Sequence, residues 1–132
     1  MFADVDFSHP DVREDVLNWG TWIAQELQLA GMRLDAIKHY SEEFLATFVR
    51  HLDSHLGTEF FLFGEYWNWK DDVLVSLIQR LGGRVSLIDV QLVYTFSDIS
   101  QDKRQDLRAV FDGTLVQRDP AHAVVRHRPC LA

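Results

Sequence analysis

With Cys130 as its only cysteine, the 132-residue chain can form no internal disulfide and no four-cysteine zinc site. Positive charge is also scarce. Thirteen Lys and Arg stand against twenty Asp and Glu, a formal net charge of -7, which argues against the phosphate backbone of nucleic acid as a partner. No apolar run approaches the ~20 residues a membrane helix requires, so a membrane-spanning chain is not expected. Met1 to Pro10 lacks a basic region followed by an apolar stretch, and no secretory leader is read there. Repeats, low-complexity tracts and Pro/Gly/Ser linkers are missing too, which favours one structural unit. Together these absences read as a protein of the reducing cytoplasm.

What is present is ordinary for a folded domain: 47% hydrophobic and 12% aromatic residues, enough to bury a core. Sugars are held by hydrogen bonds and aromatic stacking rather than by net charge, so a neutral glucan stays open as a partner. Four Trp, three Tyr and nine Phe supply candidate platforms, although most aromatics serve a core.

Helical and strand-like stretches alternate along the chain. Asp11 to Leu29 carries Val12, Val16, Trp19, Ile23 and Leu27 at helical spacing after a His9-Pro10 start. Trp19 and Trp22 read as helix-packing residues. Gly31 to Ile37 suits a buried strand. Ser41 reads as the N-cap of a helix with Glu42 and Glu43 in its first turn, ending at Gly57. Phe60 to Phe63 is a second strand, Asp71 to Leu81 a helix closed by Gly82-Gly83, and Val85 to Val90 a third strand. Asp102 to Phe111 reads as a short helix, and Ala121 to Val125 as the start of a fourth strand. Strands separated by helices imply parallel pairing. A doubly wound sheet and a βα barrel both satisfy this pattern; in a barrel, chemistry sits at the C-terminal ends of the strands.

Asp35 and Glu65 fall at or just beyond two such ends. Alternation along a strand points Arg33 and Asp35 to the same side, and a neighbouring guanidinium favours an ionised Asp35, as a nucleophile needs. An internal ion pair is the plainer reading of those two residues alone. Glu65 follows an apolar strand and precedes Tyr66-Trp67, surroundings expected to raise its pKa as a general acid requires. A solvated loop residue is the plainer alternative there. One carboxylate held ionised and one held protonated on successive strands make the pair used in retaining glycoside hydrolysis.

Gly31-Met-Arg-Leu-Asp-Ala-Ile-Lys-His39 resembles the second conserved region of the α-amylase family (glycoside hydrolase family 13), and Gly64-Glu-Tyr-Trp67 the third. Met1 to Pro10, Leu87-Ile-Asp-Val90 and Phe111-Asp-Gly-Thr-Leu-Val116 extend the likeness in order. The fold so implied is α/β, part of a (β/α)8 TIM barrel running from about the third helix to the seventh strand. Residues 1–124 would form that portion, and 125–132 a divergent, disordered tail. The implied function is retaining endo-hydrolysis of α-1,4-glucosidic bonds in starch or glycogen. Asp35 would be the nucleophile, Arg33 its orienting arginine and Glu65 the general acid/base. Lys38, His39 and Trp67 would contact sugar on the leaving-group side. The resemblance also implies a structural calcium ion held by Asp4, Asp6 and the backbone carbonyl of His39.

The departures are informative. Ala30 and Ser8 stand where relatives often carry Asp. No Asp follows Asp119, so the third carboxylate of the family's catalytic set has no counterpart, and near-inactivity of these 132 residues is expected. Sister activities (α-glucosidase or transglycosidase) and a non-catalytic remnant that binds glucan or a partner chain are the alternatives. An open part-barrel would also be prone to self-association. His51 and His55, one turn apart, read as a solvated helix surface rather than a metal site.

Overall fold

The computed structural model describes residues 5–101 and 106–124. Five α-helices and three strands alternate: α1 (Pro10–Glu26), β1 (Gly31–Leu34), α2 (Glu42–Leu56), β2 (Phe61–Gly64), α3 (Asp71–Arg80), β3 (Val85–Leu87), α4 (Val90–Gln101) and α5 (Leu115–Arg118), with 3-10 turns at Ile37–His39 and Leu107–Ala109.

The strands are parallel in the order β1-β2-β3, as in a barrel wall or in one half of a doubly wound sheet. A parallel bridge from Leu87 to Ala123 extends the same order, with Leu87 N–H donating to His122 O at 2.9 Å. The fourth strand is thus present as a single bridge; Val125 lies outside the described residues.

Register fixes what each face carries. Met32, Leu62 and Val85 form one row, and Leu34, Gly64 and Leu87 another on the same side. This side is packed: Leu34, Leu62, Val85 and Leu87 join Phe44, Phe48, Leu52, Leu74 and Ile78 in one core. The alternate residues Phe61, Arg33, Phe63 and Ser86 turn the other way, where Phe61 stays 40% exposed. Helices on one face and an open second face are the geometry of a barrel wall. Gly64 permits the close packing of the covered face, since a Cβ there would lie 2.5 Å from Ile37 Cδ1.

Local chemistry accounts for most boundaries. Pro10 starts α1 at the position where its missing N–H costs nothing. Ser41 Oγ accepts from Phe44 N–H at 3.3 Å, and Gly57 (φ 83°) ends α2. Gly82 and Gly83 close α3 with positive φ.

Several expectations need correction. Trp19 and Trp22 do not pack: they are 53% and 55% exposed. Helix α1 buries Gly20, Thr21 and Ala24, with Val16 and Leu17 packed partly buried against the core beside them. The reason is the approach to α2, where a Cβ on Gly20 would meet the Phe48 ring at 2.7 Å, so small residues line the contact. His51 is half-buried rather than solvated; its ring stacks 4.1 Å from that of His55, and its Nε2 is buried without a hydrogen-bond partner. Val85 to Val90 is strand only to Leu87, because Asp89 there opens α4, a helix the periodicity does not reveal. Within the span expected to be a helix from Asp102 to Phe111, the described part holds only the short Leu107–Ala109 turn. The tail, 125–132, lies outside the described residues. Among those described, no helix is long and apolar enough to cross a membrane.

Candidate active site

Asp35 and Glu65 each follow their strand by one residue, on adjacent parallel strands and on the open side that also carries Arg33. The backbone fixes them firmly. Glu65 N–H donates to Leu34 O at 2.9 Å, and Ile37 N–H donates to Glu65 O at 3.1 Å. Between Asp35 and that bond, Ala36 takes a left-handed conformation (φ 49°), an uncommon one for a residue with a Cβ, which turns the chain sharply out of β1.

The two carboxyl groups converge on a single nitrogen. Arg33 Nη2 lies 2.6 Å from Asp35 Oδ1 and 2.5 Å from Glu65 Oε2. The carboxyls also hydrogen-bond each other, and Trp67 Nε1 donates to Glu65 Oε1. Glu65 is the more enclosed member, with 18% of its side chain exposed against 65% for Asp35.

These contacts reverse the protonation order expected from the sequence. The hydrogen bond with Glu65 raises Asp35 above the ordinary carboxylate range despite Arg33. The same bond, followed by the one from Trp67, lowers Glu65. Glu65 accepts from Arg33 and from Trp67, and these bonds outweigh the burial that would raise it.

Lys38 and His39 sit exposed in the 3-10 turn just after Asp35. Trp67 is 45% exposed and meets Tyr94 of α4 edge-on, with ring centroids 6.5 Å apart. The expected leaving-side residues thus share one end of the sheet with the carboxylates.

Of the expected calcium ligands, Asp6 and the backbone carbonyl of His39 lie among the described residues. Asp4 lies outside the described residues. Asp6 spends its carboxylate on Ser8, accepting from its N–H at 2.9 Å and its hydroxyl at 2.6 Å, which lowers the Asp6 pKa. The Asp6 segment does lie beside the His39 turn, because Phe7 packs edge-on against Tyr40 at 5.5 Å. Among the described residues, however, no three His, Cys, Asp or Glu side chains gather.

Asp89 is the structural residue that sequence reasoning missed. It is 2% exposed; Oδ1 accepts from Leu92 N–H at 3.0 Å and Oδ2 from Val116 N–H at 2.7 Å. It caps α4 and anchors α5 at the C-terminal end of β3. The available signal was an acidic residue directly after an apolar strand, at an N-cap position.

No family model matches the chain. It is 40% identical over 125 residues to an α-amylase of Bacillus licheniformis, covering 94% of this chain and 24% of that protein. It is 34% identical over 125 residues to the cytoplasmic α-amylase of Escherichia coli (strain K12), covering 94% and 25%. Its fold matches the crystal structure of an Anoxybacillus α-amylase with a TM-score of 0.77 at 24% identity, over 93% of this chain and 26% of that one. The chain is α-amylase-like over nearly its whole length and spans about a quarter of the curated relatives it matches. Its architecture is part of an α/β barrel.

Proposed function

We propose that this chain carries the nucleophile and the proton donor of an α-amylase-type glycoside hydrolase acting on α-1,4-glucans. The observation that carries the reading is the convergence of Asp35 and Glu65 on Arg33 Nη2, at the C-terminal ends of neighbouring parallel strands.

A glycosidic oxygen entering between the carboxyls breaks their mutual hydrogen bond. Asp35 then keeps the guanidinium, which favours its anion, and Glu65 carries the proton that the departing oxygen needs. One Asp35 oxygen attacks the anomeric carbon while Glu65 protonates the departing oxygen, so the glycosidic bond breaks and a glycosyl ester forms on Asp35. Glu65, now a carboxylate, takes a proton from water, whose oxygen attacks the same carbon and releases Asp35 with overall retention. Arg33 orients Asp35 throughout. Lys38, His39 and Trp67 hold the sugar on the leaving side. No step runs through calcium. A cytoplasmic location belongs to the same reading and leans on the likeness to the Escherichia coli enzyme.

These 132 residues hold two carboxylates of a set that acts as a unit, so slow turnover is expected. The test is hydrolysis of soluble starch by the purified chain beside Glu65→Gln, with product analysis on maltooligosaccharides. Slow internal cleavage abolished in Glu65→Gln is the expected result. Terminal release or longer products would point to α-glucosidase or transglycosidase action. Glucan binding that survives Asp35→Asn, with no turnover, would replace catalysis with a binding role.

The open sheet face with Phe61 and Phe63 also offers a second copy an apolar surface. Self-association is expected as a rise in sedimentation mass above 15.3 kDa with concentration; a constant mass would remove it.

A further inference from the structure

Asp35 and Glu65 are joined through the backbone as well as through Arg33. Only Ala36 stands between Asp35 and Ile37, whose N–H donates to Glu65 O at 3.1 Å. Ala36 holds φ 49° and ψ 36°, a left-handed conformation that is unfavourable for a residue with a Cβ. Such a residue keeps that conformation only where its surroundings impose it. The next side chain along supplies the constraint.

Ile37 is 3% exposed and belongs to the core, while Asp35 stays 65% exposed on the open side. The Ile37 Cδ1 fills the space that a side chain at Gly64 would take, 2.5 Å from where that Cβ would stand. From β3, Leu87 Cδ2 and Val85 Cγ1 close the same space, 3.1 Å and 3.3 Å from that point. Gly64 directly precedes Glu65, and its carbonyl accepts from Ile88 N–H at 3.4 Å. Ile37 therefore grips the end of β2 twice, by its N–H at Glu65 and by its side chain at Gly64. A turn that merely ended β1 needs neither tie.

We propose that Ile37 is a positioning residue for the carboxylate pair: seated on Gly64, it holds Ala36 in the left-handed turn and sets the separation of Asp35 from Glu65. The proposal rests on the glycosidase reading of that pair. Its consequence is that core packing reaches the site. The two carboxyls meet on one Arg33 nitrogen at 2.6 Å and 2.5 Å, an arrangement that a small displacement of the turn undoes. For a reacting group, a misplacement of about 1 Å costs about a hundredfold in rate.

The test compares two equal deletions. Ile37→Val removes Cδ1 and little else. Ile78→Val makes the same change in α3, at a residue 1% exposed and outside the turn. Each variant of the full chain is unfolded in urea, and the carboxyl carbons of Asp35 and Glu65 are followed by 13C NMR through a pH titration. The two variants should lose similar stability, because each loses one buried carbon. In Ile37→Val the Asp35 and Glu65 titrations should draw together, Asp35 falling and Glu65 rising, as their shared hydrogen bond loosens. In Ile78→Val their separation should match the wild type. Equal changes in the two variants would make Ile37 an ordinary core residue and overturn the proposal. An unmoved pair in Ile37→Val would overturn it too. Failure of the glycosidase reading shows separately, as starch hydrolysis insensitive to Glu65→Gln.

Discussion

The indole N–H of Trp67 donates to Oε1 of Glu65, so the proposed sugar platform and the proposed proton donor form one hydrogen-bonded unit. Trp67 does more than offer a flat surface. It is the second-largest cause, after Asp35, of the low pKa of Glu65.

Trp67→Phe keeps an aromatic face and removes the donor. Glu65 should then titrate at higher pH, closer to an ordinary carboxylate, in a 13C carboxyl NMR titration. An unmoved Glu65 would mean that Arg33 and Asp35 alone set its charge.

Asp89→Ala should destabilise the fold by about 2–4 kcal/mol, because it strips a buried cap from α4 and leaves the Leu92 and Val116 N–H groups unpaired. Urea unfolding measures this. A loss below about 0.5 kcal/mol, the level of an ordinary surface change, would remove Asp89 as the anchor joining β3, α4 and α5.

Asp89 also marks where legibility ended. Strands β1 and β2, helices α2 and α3 and their caps could be read because apolar runs and capping residues agreed: Ser41 and Gly57 bracket α2 as expected. Helix α4 carries Val90, Leu92, Val93, Tyr94 and Phe96, apolar on several sides, so it has no clean helical period. For α1 the period was visible but its phase was not. Close approach to α2 selects the small residues Gly20, Thr21 and Ala24, flanked by Val16 and Leu17. Arg33 and Asp35 share a side as strand alternation predicts, and Glu65 follows β2 directly, as the end of its apolar run predicts. The directions of the two carboxyls' pKa shifts were not legible, since these depend on which groups reach each oxygen across two strands.

Acid should weaken the α1–α2 contact through His51. Burial first, then the nearby His55, lowers the His51 pKa below 6.5, and its Nε2 has no acceptor to receive a proton. The groove it lines brings Arg13 and Glu14 of α1 alongside, with Asn18 and Leu17. Because the unfolded chain binds this proton more readily, stability should fall as pH drops from 6.5 and level off below the folded-state pKa. His51→Gln should flatten thermal stability across that window. An equally steep decline in the variant would assign the acid sensitivity elsewhere.

The most direct test of the central claim is covalent trapping followed by intact-mass and peptide analysis. The full chain is incubated with a 5-fluoro-α-glucosyl fluoride, whose anomeric fluoride leaves with little help from an acid and whose remaining C5 fluorine slows release, so a single turnover suffices. The account predicts one added glycosyl unit, mapped to Asp35, missing from Asp35→Asn and still formed by Glu65→Gln. A folded chain that stays unlabelled, or that carries the sugar on another residue, would contradict it.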